Sequence, residues 1–208
     1  MIHASMRAVG EILGGPDELI DALEEVVRDG TFMSYLGCPS PFDEVGRSRY
    51  SAEDTAYILE HSPVFDKYLA HAQRDFGTFA EFFRTHSKDV QISDNVGGRM
   101  AALGKRAQWL TCDHSLNYGL GKGSPLEKLY QENGMVLLIG SDHDQVTLMH
   151  YAEAIAPIEN KTALPNPPPT NTTVSFWNIS VGAPVGPIKI TGSPGFNNVH
   201  KSADPPIS

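Results

Sequence analysis

The sequence predicts an α/β domain with a largely parallel central sheet, because short apolar runs alternate with stretches of helical period. The clearest such run is Met135 to Gly140 (MVLLIG), which closes on a glycine and passes through the polar turn Ser141-Asp142-His143-Asp144 into a helix. Size agrees: 208 residues with a hydrophobic fraction of 40% can bury one sizeable core, and one domain is the expectation.

In chain order, Asp17 to Asp29 reads as an amphipathic helix with Leu19, Ile20, Leu23, Val26 and Val27 on one side, Pro16 at its first turn and Gly30 closing it. Thr31 to Leu36 reads as a buried strand, and the Pro, Gly and Ser content from Gly37 to Tyr50 predicts an irregular excursion. Ser51 and Asp54 form a capping-box pattern for a helix over Glu53 to His61. Helical spacing returns over Thr78 to Arg84, Asp89 to Ser93 is extended, and a further helix is expected over Ala101 to Thr111. A glycine-rich loop, Tyr118 to Ser124, then leads into a helix from Pro125 to Gly134. That loop is either a phosphate cradle or an ordinary turn; it is not a Walker loop, since Leu116 stands where the first glycine should be. Met135 to Gly140 should be a strand covered on both faces, followed by a helix from about Gln145.

The chemistry concentrates on that last helix. His150 and Glu153, three residues apart, share a face and can touch, so the carboxylate can hold one ring nitrogen while the other takes a proton. The same spacing also suits the solvated side of an amphipathic helix. Cys38 and Cys112 stand far apart with no metal-ligand spacing; each is a buried thiol or a lone nucleophile. His143, Asp144 and His150 are a conceivable metal set without a recognisable fourth ligand.

A net charge of -9 disfavours nucleic acid and weakly favours cationic partners. No apolar run is long enough to span a bilayer and the N-terminus lacks a signal-peptide pattern, so the expected setting is cytoplasmic, away from membranes. After Lys161 the composition turns to Pro, Asn, Thr and Gly without helical period. The expected organisation is a domain over residues 1–161 and a poorly ordered tail over 162–208, with short strands conceivable at Thr173 to Ile179 and Pro187 to Thr191.

Several segments together resemble the aminoglycoside 3-N-acetyltransferase family: His3-Ala4-Ser5, Gly30-Thr31-Phe32-Met33, Ala101-Ala102-Leu103-Gly104, Asp113-His114-Ser115-Leu116-Asn117-Tyr118-Gly119, Gly123-Ser124-Pro125-Leu126 and Thr147-Leu148-Met149-His150-Tyr151-Ala152-Glu153. The resemblance runs in order from Ile2 to about Lys161. It implies an α/β/α sandwich distinct from the GNAT acetyltransferase fold. It also implies acetyl-CoA as co-substrate with no metal, and transfer to the 3-amino group of a 2-deoxystreptamine aminoglycoside, an antibiotic-resistance activity.

By the same resemblance His150 is the general base, Glu153 its partner, and Thr147 lies near the reacting carbonyl. Ser5, Ser93 and Ser124 hold CoA, while Asp144 and Asp113 meet the ammonium groups of the aminoglycoside. Where the family has an arginine before Ser93 this chain has Ile92, and Arg99 is the expected substitute for that anion contact. Against the family pattern the chain looks N-terminally truncated, lacking a helix and most of a first strand, and its tail is atypical. An impaired remnant that at most binds CoA is the alternative expectation.

Overall fold

The computed structural model describes residues 1–38, 50–62, 64–116 and 118–157, together with the backbone of two strands at 162–166 and 176–180. The segment expected to be an irregular excursion lies mostly outside the described residues, as does Pro187 to Thr191.

The first strand, β1 (Ile2–Ala4), runs into a short helix α1 (Met6–Val9) that Ser5 caps by accepting the Ala8 N–H. Helix α2 (Pro16–Val27) has Pro16 in its first turn and buries Ile20 and Leu23, while Val26 stays 79% exposed. Strand β2 (Thr31–Tyr35) follows. Helix α3 (Ala52–His61) is capped by Ser51, whose hydroxyl accepts the Asp54 N–H at 3.0 Å and donates to its carboxylate at 2.7 Å. Next come α4 (Gly77–Thr85), β3 (Gln91–Ile92) and β4 (Met100–Gly104). They precede α5 (Ala107–Thr111), α6 (Pro125–Gln131), β5 (Leu137–Ile139) and α7 (Leu148–Ile155). Backbone strands β6 (Thr162–Asn166) and β7 (Phe176–Ser180) pair antiparallel in the segment where sequence predicted little beyond short strands.

The helices and strands give the α/β class, but the sheet is not largely parallel. Among the described residues β1 and β5 pair in parallel, whereas β4 lies antiparallel between β2 and β3. Connection length explains the difference. Only residues 93–99 join β3 to β4, and across them Ser93 gives its N–H to the Met100 carbonyl while its hydroxyl accepts the Met100 N–H; so short a link permits only an antiparallel pair.

The expected helix over Ala101 to Thr111 is therefore a correction: its first half is β4. Ala101, Ala102 and Leu103 suit a helix by propensity, yet they occupy the central strand, where pairing on both sides and full burial override that preference. Gly104 ends the strand at φ +116, with the Gly30 carbonyl oxygen only 2.3 Å from where a Cβ would stand.

Alternate residues of β2 and β4 feed two apolar clusters. Phe32, Ala101 and Leu103 pack with Ile20 and Leu23 of α2 and with Phe79 and Phe83 of α4. Met33, Met100 and Ala102 pack with Leu110 of α5, Leu126 and Leu129 of α6 and Tyr151 of α7. Strand β5 is less covered than its sequence predicts, with Met135 75% and Leu137 47% exposed; among the described residues its one strand partner is β1.

Candidate active site

The parallel pair positions the site. Ser5 continues the β1 ladder by giving its N–H to the Ile139 carbonyl at 2.9 Å, which brings the carboxyl ends of β1 and β5 together at Ser5 and Gly140. A cleft of about 270 Å³ opens there, lined by His3, Ser5, Tyr35, Asp75, Gly140 and Asp142 among others. This is the sheet edge at which α/β folds bind ligands. From β5 the chain passes through a single 3-10 turn, His143–Gln145, so α7 begins at Leu148 with Thr147 as its N-cap rather than near Gln145.

On α7 the expected pair forms. Nδ1 of His150 lies 2.9 Å from Oε2 of Glu153; the histidine side chain is 52% exposed and the glutamate 24%. With Nδ1–H given to the carboxylate, the Nε2 lone pair is the basic position. Neither residue lines the cleft. They connect to it through Thr147, a buried residue whose backbone N–H donates to Nε2 of His3 at 3.3 Å. Burial first, and the nearby chain-terminal ammonium second, draw the His3 pKa down to about 4. His3 thus stays neutral near pH 7 and keeps the lone pair that accepts this bond.

Two further residues near the pair, Tyr118 and Glu127, receive no role from sequence alone. Burial, reinforced by the Glu153 charge, pushes the Tyr118 phenol up to about 12, so a protonated hydroxyl group stands within electrostatic reach of Glu153. Glu127 accepts the Gly123 N–H at 2.7 Å and the Tyr151 hydroxyl at 3.4 Å, tying the glycine-rich loop to α7. The Ser124-x-x-Glu127 spacing is a capping pattern that could have flagged Glu127, whereas Tyr118 and His3 carry no local signal. Behind them the buried Asn95 donates to the Ser115 carbonyl at 2.6 Å and accepts the Gly98 N–H at 2.6 Å. The buried His114 joins the Gly119 carbonyl at 2.7 Å.

The remaining expected site residues divide. Ser5 lines the cleft. Ser93 and Ser124 are sealed from solvent, and their hydroxyls accept the N–H groups of Met100 at 2.9 Å and Glu127 at 3.3 Å, so they shape walls. Asp144 is exposed and accepts from Gln145 at 3.1 Å, and Asp113 is exposed at φ +52; neither lines the cleft, where Asp75 and Asp142 stand instead.

Arg99 is not an anion contact. It is fully buried, bonded to the carbonyls of Lys67, Ala70 and His71, and burial draws its pKa down to about 10. Cys38 is buried, and Sγ of the partly buried Cys112 donates to the Trp109 carbonyl at 3.3 Å. His143, Asp144 and His150 form no ligand group among the described residues. No helix among them is long and apolar enough to cross a membrane.

An α/β chain with a histidine and carboxylate pair on the helix that follows one of two parallel strands has the side chains that acid-base chemistry requires. More specifically, residues 1–177 match the model of the aminoglycoside 3-N-acetyltransferase family, and the chain belongs to that family. It is 39% identical over 170 residues to an aminoglycoside N(3)-acetyltransferase III of Pseudomonas aeruginosa, a match covering 81% of this chain and 62% of the relative. A Serratia marcescens enzyme of the same name is 38% identical, with 77% and 59% covered.

The fold is similar to that of AAC(3)-Xa, with a TM-score of 0.78 at 30% identity, covering 88% of this chain and 65% of the other. It is also similar to AAC-IIIb in binary complex with CoASH, with a TM-score of 0.68 at 36% identity, covering 86% and 66%. The chain spans about three fifths of the length of these two curated relatives.

Proposed function

We propose that this protein transfers an acetyl group from acetyl-CoA to the 3-amino group of a 2-deoxystreptamine aminoglycoside, conferring antibiotic resistance in the cytoplasm. The observation that carries the proposal is the 2.9 Å His150–Glu153 pair on the helix that follows β5, in a chain of this family. Similarity to AAC-IIIb in complex with CoASH and to AAC-VIa bound to sisomicin, the latter 34% identical with a TM-score of 0.72, supports the two substrates. Helical cover on both faces of the β2-β4 ladder supports an α/β/α sandwich of the non-GNAT type.

An amine is protonated near neutral pH and must lose a proton to attack. Nε2 of His150 takes that proton and frees the lone pair to attack the thioester carbonyl, while Glu153 fixes the tautomer and stabilises the imidazolium. The C–S bond then breaks, the second proton of the nitrogen passes to the sulfur so that CoA leaves as the thiol, and the imidazolium returns its proton to solvent. The Thr147 amide is occupied by His3, which leaves the Thr147 hydroxyl to meet the developing oxyanion. Acetyl-CoA supplies an activated thioester. Ser5, half-buried in the cleft lining, fits a contact to it, while Ser93 and Ser124 act by holding the walls. Transfer is direct, so neither Cys38 nor Cys112 is required.

Thiol release from acetyl-CoA, measured with gentamicin-type and with unrelated amines, tests this assignment. Turnover specific to the aminoglycoside and lost in His150→Ala is expected; turnover that survives the substitution removes His150 as base. Because the chain spans about three fifths of its relatives' length, a module that binds CoA without turnover is the alternative. A thermal shift with acetyl-CoA and no thiol release would favour it.

A further inference from the structure

On the opposite side of the first apolar cluster from β2, helix α2 and the end of α4 bring four ionisable side chains together. Asp17, Asp21 and Glu24 are spaced four and three residues apart and share one face of α2. His86, the C-cap of α4, reaches across to them with a side chain only 10% exposed.

Its two ring nitrogens are in different situations. Nδ1 is hydrogen-bonded to Oδ1 of Asp17 at 3.2 Å. Nε2 lies 3.2 Å from Oδ1 of Asp21 and 3.4 Å from Oε2 of Glu24, the distances of ion pairs when that nitrogen carries a proton. A neutral imidazole that gives Nδ1–H to Asp17 turns a bare lone pair towards two carboxylate oxygens. Two carboxylate oxygens around one lone pair repel unless a cation, a proton or a metal ion, stands between them.

We propose that Asp21, Glu24 and His86 bind a divalent cation of the zinc class, which clips α2 to the end of α4, with Asp17 orienting the imidazole. The distances suit this. Metal bonds of about 2.0–2.1 Å in a tetrahedron place neighbouring ligand atoms about 3.3 Å apart. The observed separations from Nε2 are 3.2 and 3.4 Å, and the three ligand atoms all lie within 4.8 Å of one another. A carboxylate on the far nitrogen of a ligating histidine is the usual outer support of such a site. The carboxylates are about half exposed, which leaves the outer side open for water as a fourth ligand. The site is remote from His150 in sequence and role, so it acts on stability and not on acetyl transfer.

The full chain, dialysed against a chelator, is titrated with Co²⁺ while its visible absorption is followed, and its melting temperature is measured with and without Zn²⁺. One equivalent should saturate an intense four-coordinate spectrum, and Zn²⁺ should raise Tm. Asp21→Asn and Glu24→Gln, both surface changes that leave the core intact, should each abolish the spectrum and the Tm response. Asp17→Asn should weaken affinity about 10- to 100-fold. The absence of a saturable signal, or a signal unchanged in Asp21→Asn and Glu24→Gln, overturns the metal site and leaves a protonated His86 as the clasp.

Discussion

The backbone N–H of Thr147 donates to Nε2 of His3 across 3.3 Å, so the first strand holds the start of the helix that carries His150. The bond needs a neutral imidazole. It therefore ties the start of α7 to the protonation of a histidine on β1.

Stability should fall as pH drops from about 6.5 towards 4. Burial lowers the pKa of both His3 and His114 to about 4. The unfolded chain then binds more protons than the folded one below the ordinary histidine value. The contribution is complete above that value and is lost as pH falls through the window, by roughly 3 kcal/mol for the more deeply buried His114. Urea unfolding at a series of pH values checks this, and His114→Gln, which keeps a donor for the Gly119 carbonyl, should flatten the slope.

Replacing His150 by alanine should lower acetyl transfer by about 10²- to 10⁴-fold. It should hardly move Tm, because the side chain is half exposed and, among the described residues, bonded through its ring only to Glu153. Glu153→Gln keeps an acceptor for Nδ1–H but not the charge that stabilises the imidazolium, so its loss should be smaller. Steady-state thiol release with a parallel thermal melt distinguishes a chemical from a structural effect.

A methyl group at Gly98 has no room. Its Cβ would stand 2.3 Å from the carbonyl oxygen of Gly119 and 2.5 Å from that residue's Cα, both backbone atoms. Gly98→Ala should cost about 2–3 kcal/mol in chemical denaturation. It should also reduce transfer by shifting the loop that carries Tyr118. An unchanged midpoint would mean that the two loops separate more easily than this contact implies.

Arg99 carries a structural load of the same order. Its guanidinium is fully buried and bonded to the carbonyls of Lys67, Ala70 and His71. Arg99→Met should leave those carbonyls without donors and cost about 3 kcal/mol or more. Arg99→Lys should recover only part, since one ammonium cannot reproduce the planar fork. If Arg99 instead served CoA, Arg99→Met would raise the KM for acetyl-CoA at unchanged stability.

Local signals were legible and correct where neighbours in sequence are neighbours in space. The Ser51 cap, the Pro16 start of α2 and the His150–Glu153 pair all depend on spacings of four residues or fewer, and the structure contains each of them. Reading failed where distant chain segments decide. Ala101 to Leu103 became a strand because β2 and β3 flank it, and Arg99 turned inward because the carbonyls of residues 67, 70 and 71 surround it.

Sequence by itself determined the α/β class, the helix that bears the His150–Glu153 pair and, through ordered motifs, the family. Tertiary structure alone decided the antiparallel β2-β4-β3 ladder, the choice of Asp75 and Asp142 over Asp144 and Asp113 in the cleft, and the His3–Thr147 bond. The physical reason is range. Capping and helical periodicity act within one or two turns, whereas strand pairing and burial join residues separated by up to 144 positions, as His3 and Thr147 are.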